Sequence, residues 1–263
     1  KSNKPALPPL TLLGLVVFSI VVIWLFSPSK SSTQQPVTSD TSATKEYIDE
    51  PVALPSPVKT SRVSLEQTLN TRRSRRSFQD KPLTLNQVSQ LLWSAQGVTT
   101  DWGGRTAPSA KSAYPLTLYL VALDVTGLEP GIYEYIPGDL DPVHQLRLLQ
   151  SGDFSEQMAL AGVQSQFKSA PAVIAITGNF QKMKDAFDGN DVSHNVYLEV
   201  GHVSQNLYLQ AESLGLGTVA TGGFDMAKST SLLKLPASET LIYLMPFGFS
   251  AEEEFDIIHP IAH

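Results

Sequence analysis

Four of the chain's seven arginines fall in one window, Arg72-Arg73-Ser74-Arg75-Arg76. Clustered guanidinium groups beside a serine hydroxyl can hold a phosphate bidentately. The competing reading is a solvated basic face, since charge runs are usually surface features. A second segment, Gly215 to Asp225 (GLGTVATGGFD), ends at the paired glycines Gly222 and Gly223. Such glycines let a backbone approach a flat ligand and offer N–H groups to it, although turns and caps use them as well. Their spacing fits neither a dinucleotide fingerprint nor a phosphate-binding lysine loop. The third segment, Pro108-Ser109-Ala110-Lys111-Ser112-Ala113-Tyr114-Pro115, sets small hydroxyl residues between prolines. It suits a rigid loop offering several hydrogen bonds, and equally an ordinary turn.

The elements that position these segments follow from periodicity. Ser64 and Gln67 form a capping-box pattern opening a helix toward the arginines, and Thr84 and Gln87 repeat it. The second of these helices carries Leu85, Val88, Leu91, Leu92 and Ala95 at helical spacing. Leu116 to Val125, Ile132 to Tyr135, Ala170 to Thr177, Gly217 to Gly223 and Leu241 to Phe247 read as strands. Ser193 to Leu214 reads as the longest helix, with Val196, Val200, Val203, Leu207, Ala211 and Leu214 on one stripe. Gly201 inside it predicts the close approach of another backbone. Strands, helices and hairpin-like segments are mixed, so the reading from Ser61 onward is one α+β domain, not a doubly wound fold.

Composition limits the rest. The 263 residues are 42% hydrophobic and 17% charged, enough for one sizeable core. The net charge of −6 would repel a polyanion outside the arginine window, which argues against nucleic acid as a partner. Without cysteine, thiolate nucleophiles and disulfides are excluded. Leu10 to Phe26 is almost continuously apolar. As a helix it would span roughly 26 Å, close to the ~30 Å hydrocarbon core, so residues 1–29 are expected to form a single-pass anchor in the lipid bilayer. Lys1 and Lys4 before the span place the soluble domain on the extracytoplasmic side. Residues 30–60, rich in Ser, Thr, Gln and Pro, read as a flexible linker.

Taken in order, Arg-Arg-Ser, the Pro-Ser loop before a strand, and Gly-Gly-Phe-Asp after a long helix resemble the flavin-dependent nitroreductase superfamily. LLWSAQGVT (91–99), RTAPSAKSAYPLTLYLVA (105–122), GLEPGIYEY (127–135) and LEVGHVSQNLYLQAESLGLGTVATGGFD (198–225) are most similar to its SagB-type oxidase/dehydrogenase branch. The resemblance covers residues 50 to 250. It implies a nitroreductase-like fold, a mixed and largely antiparallel sheet packed with helices, for a domain at 61–263. It also implies FMN held noncovalently, commonly at a homodimer interface, with NAD(P)H as a reductant. Arg72, Ser74 and Arg76 match the motif that contacts the FMN phosphate and the polar edge of the ring, and Arg73 matches its second basic position. Pro108, Ser109 and Ser112 fall on the loop along the isoalloxazine. Gly222 and Gly223 fall where a backbone N–H approaches flavin N5, with Thr221 alongside.

Three departures accompany the resemblance. Lys111 and Ser112 replace a Gly-Ala pair and add a cation near the expected ring. The tail reads Ser-Ala-Glu-Glu-Glu (250–254) where many relatives carry a basic residue. Phe187-Asp188-Gly189 stands where azoline-oxidising members have Lys-Tyr-Gly, with Lys182 and Lys184 nearby. The implied activity is a membrane-anchored FMN oxidoreductase passing hydride between a reduced donor and an organic acceptor. Its alternatives are a tethered binding or assembly module without turnover, and a SagB-like dehydrogenase acting on a modified peptide. No catalytic residue is assigned. His194 and His202 stand roughly 80° apart on one helix, a poor fit to one metal. Trp93 reads as core, and Thr99 to Thr106, with Gly103-Gly104, suits a lid.

Overall fold

In the computed structural model, which describes residues 45–138 and 144–251, the period-two runs become strands and the capped apolar stripes become helices. In chain order the elements are β1 (Val52–Ala53), α1 (Leu65–Thr71), β2 (Leu83–Thr84), α2 (Leu85–Gln96), β3 (Leu116–Ala122), β4 (Val125–Thr126), β5 (Gly131–Ile136), β6 (Gln145–Ser151), α3 (Ser155–Gly162), β7 (Ala172–Gly178), α4 (Phe180–Ala186), α5 (His194–Ser213), β8 (Gly217–Thr218), α6 (Met226–Leu233) and β9 (Thr240–Gly248). Seven strands form one sheet in the order β1-β6-β5-β3-β7-β9-β8, every neighbouring pair antiparallel. A short parallel pair, β2 with β4, stands apart.

Alternation along the central strands divides the core in two. Leu118, Leu120, Ile174 and Ile176 face α2 and α5, packing with Leu91, Leu92, Val203 and Leu207. Tyr119, Val121, Val173 and Ala175 point the other way, toward Met158 and Ala161 of α3 and Leu233 of α6. The helical layer of α2 and α5 carries the candidate site. Thr84 and Gln87 close a full capping box on α2, and Ser64 accepts the Gln67 N–H at the start of α1. α5 buries Val196, Val200, Val203, Leu207 and Ala211 as its spacing predicts. Gly201 behaves differently: among the described residues, nothing lies within 4 Å of a Cβ built there. The expected close approach is not made within this chain.

Two expectations need correction. Among the described residues no helix is long and apolar enough to cross a membrane. The longest, α5, buries one stripe and exposes His194, Gly201, His202 and Gln205. That finding overturns the single-pass membrane placement, and the run at 10–26 on which it rested lies outside the described residues. The end of the expected linker, from Lys45 to Val58, is bonded to the fold. Ile48 N–H donates to the Leu148 carbonyl (3.0 Å), and Val58 N–H to Gln90 Oε1 (2.8 Å). Lys45 Nζ sits between Glu134 (3.0 Å) and Glu239 (2.9 Å). Backbone hydrogen bonds hold this Pro-rich stretch, which is why its composition misleads.

His144 ties the same segment to the core. It is buried, with Nδ1 2.8 Å from the Tyr135 hydroxyl and Nε2 3.0 Å from Ser89 Oγ and 3.1 Å from the Pro55 carbonyl. Burial holds its imidazole below the ordinary histidine range, while the Pro55 carbonyl pulls the other way. The unfolded chain therefore binds the proton first, so the stabilisation is present above about pH 6.5 and is lost as pH falls below it. Thermal unfolding across pH 5 to 8 should show that loss. His144→Gln should flatten it while costing about 1–3 kcal/mol at neutral pH.

Candidate active site

The arginine window is shaped by its pairing to β8. α1 ends where Arg72 N–H donates to the Thr68 carbonyl (2.9 Å), after which the chain runs extended. Ser74 forms a parallel bridge with Thr218, and Arg75 N–H donates to the Thr218 carbonyl (2.9 Å). This approach requires Gly217, because a Cβ there would lie 2.7 Å from Cβ of Arg75. Extended pairing sends alternate side chains to opposite sides. The Arg72 guanidinium lies 5.1 Å from the Tyr208 ring centroid, and Ser74 Oγ is 3.1 Å from the Tyr208 hydroxyl. Arg75 is turned onto Gly217 instead. Arg73 turns back, its guanidinium donating to the carbonyls of Asn70 (3.1 Å) and Arg72 (2.7 Å) at the carboxyl end of α1. None of the ion pairs among the described residues includes Arg72, Arg73 or Arg75.

Tyr208, which sequence reasoning missed, joins this window to the paired glycines. Its hydroxyl accepts the Ala220 N–H (2.8 Å) while meeting Ser74. The one available signal was its place beside Leu207, off the apolar stripe of α5. Thr221, expected to face a cofactor, is buried and doubly bonded to the Leu244 backbone (3.0 Å each way). It anchors the segment to β9. Gly222 and Gly223 are exposed, and a Cβ on either would meet only ordinary contacts, Tyr243 at 3.5 Å and Gln164 at 3.6 Å. Neither has a positive φ. The chain's own packing therefore does not demand glycine at these positions. Tyr208→Phe should leave the fold intact and speed amide exchange at Ala220, lowering its local opening free energy by about 1 kcal/mol. An unchanged exchange rate would remove Tyr208 from this role.

The Pro-Ser loop stands at the other end of α5. Lys111, Ser112 and Tyr114 all have positive φ (50°, 51° and 44°), a conformation costing about 1 kcal/mol or more for each such residue. Several bonds hold it there. Ser109 Oγ accepts the Tyr114 N–H (2.8 Å), the Tyr114 hydroxyl accepts the Arg105 N–H (3.2 Å), and Lys182 Nζ donates to the Tyr114 carbonyl (2.9 Å). The Arg105 guanidinium lies over the Tyr114 ring at 4.2 Å. Pro108 and Ser112 are exposed, and Ser109 is half-buried. Lys111 reaches the end of α4, donating to the Ala186 carbonyl (3.0 Å) and lying 4.6 Å from the Phe187 ring centroid. That leads its charge toward α4, whereas the sequence suggested a cation near the ring.

Beneath the loop lies a buried polar cluster. Arg105 donates to Gln96 Oε1 (2.9 Å), and Gln96 Nε2 donates to Glu199 Oε1 (3.3 Å). Glu199 is 2% exposed. Glu199 and Tyr208 are nine residues apart on α5, about 13 Å along its axis. Among the described residues, the hydrogen bonds of Arg72, Arg73, Ser74 and Arg75 go to α1, α5 and β8 and not to the loop. A separate groove of about 570 Å³, bordered by Val58, Leu65, Gln90, Trp93, Asn206 and Gln210, contains none of the expected cofactor residues. Trp93 borders that groove, while Trp102 is exposed at the tip of the 98–105 turn. That turn is closed by Thr99 N–H to the Gly104 carbonyl (2.8 Å) and Gly104 N–H to Thr100 Oγ1 (2.7 Å).

A largely antiparallel sheet between two helical layers, with an arginine strand laid against its β8 edge, defines the nitroreductase-like α+β fold. A crystal structure from Ralstonia eutropha JMP134, provisionally named a nitroreductase, superimposes with a TM-score of 0.65 and 28% identity, over 78% of this chain and 91% of that one. Another, of a provisional nitroreductase from Anabaena variabilis, gives a TM-score of 0.64 and 25% identity over 76% of this chain. The match spans only 41% of that second, longer chain. The chain belongs to the nitroreductase family, whose sequence profile matches residues 69–249, and is accordingly an oxidoreductase. A Methanocaldococcus jannaschii protein with the provisional name of nitroreductase is 39% identical over 191 residues, covering 72% of this chain and 93% of that protein.

Proposed function

We propose that the chain is an FMN-dependent oxidoreductase that takes hydride from a reduced donor such as NAD(P)H and passes it to an organic acceptor. One observation carries this reading. Arg72 and Ser74, outside every ion pair among the described residues, share one side of a strand that Tyr208 links to two exposed glycines no internal contact requires. An anion with a flat group attached accounts for both features. Arg72, Ser74 and Arg76 would hold the phosphate and polar ring edge, with Arg73 behind them capping α1. Gly222 and Gly223 would present backbone donors to the ring, with Thr221 fixing their height. Pro108, Ser109 and Ser112 would cover it. Bound there, FMN supplies the reversible two-electron chemistry.

Because window and loop sit at opposite ends of α5, we place the complete site across a homodimer. Exposed Tyr197 and Leu198 and the open Gly201 on α5 favour this arrangement. The proposed FMN domain keeps its boundary at 61–263, with the strap from Lys45 packed onto it.

A SagB-like dehydrogenase acting on a modified peptide is a second reading, favoured by Lys182, which reaches the loop at the Tyr114 carbonyl. Steady-state assays with NADH or NADPH against a quinone, a nitroaromatic and an azoline-containing peptide separate the two. Turnover of the first two alone supports the small-acceptor reading, whereas azoline oxidation would establish the peptide one. No turnover with any acceptor, despite bound FMN, would favour a binding module.

A further inference from the structure

Glu199 is the least economical residue in the α2–α5 layer. Its carboxyl is 2% exposed; among the described residues Oε2 has no hydrogen-bond partner, Oε1 is met by Gln96 at 3.3 Å, and the Ser109 side chain also acts on the carboxyl. None of the ion pairs among the described residues includes it. A carboxylate buried this way is costly, and the neutral acid is the cheaper form. A glutamine would meet Gln96 equally well without any charge. What the acid adds is a proton that can leave.

We propose that Glu199 is the proton-holding residue of this site, supplying a proton through the Ser109 hydroxyl to the acceptor as it is reduced. This rests on the oxidoreductase reading given above. Ser109 Oγ accepts the Tyr114 N–H, which leaves its own hydrogen available. Its loop carries three strained residues, and its outer face, Pro108 and Ser112, is exposed. Burial pushes the Glu199 carboxyl up, opposed in turn by Ser109, Gln96, Arg105 and Lys182. Those groups face it from the loop, from α2 and from α4, and Tyr135 of β5 acts on Arg105 from behind. Once the proton has left, the two cations steady the carboxylate.

The step balances. Two electrons and one hydrogen leave the reduced nicotinamide, which is oxidised, and reach the acceptor as hydride, leaving an anion on its oxygen or nitrogen. The Ser109 O–H bond breaks as that atom gains its hydrogen. Ser109 recovers a proton as the Glu199 carboxyl O–H breaks, and solvent water refills the carboxylate. Glu199 acts through Ser109, so it is a positioning residue rather than a catalytic one.

Two measurements test it. Infrared pH titration of the purified chain should show a protonated carboxyl persisting above the ordinary carboxylate range, absent from Glu199→Gln. In the FMN-loaded protein, oxidation by a quinone should be slowed about 100-fold in Glu199→Gln, relative to that variant's own rate of reduction by NADPH. The fall of the oxidation rate as pH rises through the Glu199 titration should vanish too, and Glu199→Asp should restore part of both. Identical infrared titrations, or equal oxidation rates across pH, would overturn the proposal. A chain that takes up no FMN would sink the oxidoreductase reading and this inference with it, an outcome that the flavin content distinguishes from a failed relay.

Discussion

Arg72→Ala combined with Arg76→Ala should strip the purified protein of FMN, with affinity falling about 10²- to 10⁴-fold. The magnitude follows from losing two charge-assisted hydrogen bonds of about 1.5–3 kcal/mol each to a phosphate dianion. Arg72 already lies against Tyr208, and the extended pairing of Ser74 with Thr218 puts residues 72, 74 and 76 on the same side. Arg75→Ala is the internal control. It keeps the backbone bond to Thr218 and the Cβ that rests on Gly217, and should lower affinity less than tenfold. FMN titration monitored by flavin fluorescence reads all of these directly. Equal retention by the Arg72, Arg76 and Arg75 variants would return the cluster to a solvated basic face.

Gly222→Ala and Gly223→Ala should separate folding from binding. Because a Cβ at either position meets only ordinary contacts and φ is not positive, thermal stability should stay within about 0.5 kcal/mol of wild type. The methyl would instead occupy the space where a flat ring rests against the backbone. Overpacking of that kind costs about 1–3 kcal/mol, so FMN should bind roughly 10- to 100-fold more weakly. Gly217→Ala should do the reverse, disturbing the fold first by driving the arginine strand from β8. If the Gly222 and Gly223 variants bind FMN like wild type, those residues are ordinary turn glycines.

What was legible in the sequence was what neighbouring residues decide. Thr84 and Gln87 recognise each other across three positions, and the stripe from Val196 to Ala211 announces both α5 and its buried face. The central strands were visible because every other residue of Leu116–Ala122 enters a different core. α4 was missed because seven residues with Met183 alone fully buried show no period. β6 escaped because its alternation is diluted by Gln145, Arg147 and Gln150 near the sheet edge. The strap at 45–58 is fixed by backbone bonds and by Lys45 and Tyr47 reaching Glu134, partners too distant in sequence for local composition to reveal.

Within the site, the arginines, the Pro-Ser loop and the paired glycines stood out because their residue types are unusual in themselves. Tyr208, Gln96 and the state of Glu199 did not, since each acquires its meaning from a partner about ten to more than a hundred positions away. The inward turn of Thr221 and the reversal of Arg73 likewise follow from β9 and the end of α1, which no local motif encodes.

The most direct test is the flavin content of the purified chain after incubation with FMN and gel filtration, followed by anaerobic addition of NADPH or NADH. A yellow protein carrying about one FMN per chain, bleached by a reduced nicotinamide and re-oxidised by an added quinone, is the expected result. A protein that emerges colourless, with its fold intact by circular dichroism, would contradict the assignment of the arginine window and paired glycines as an FMN site.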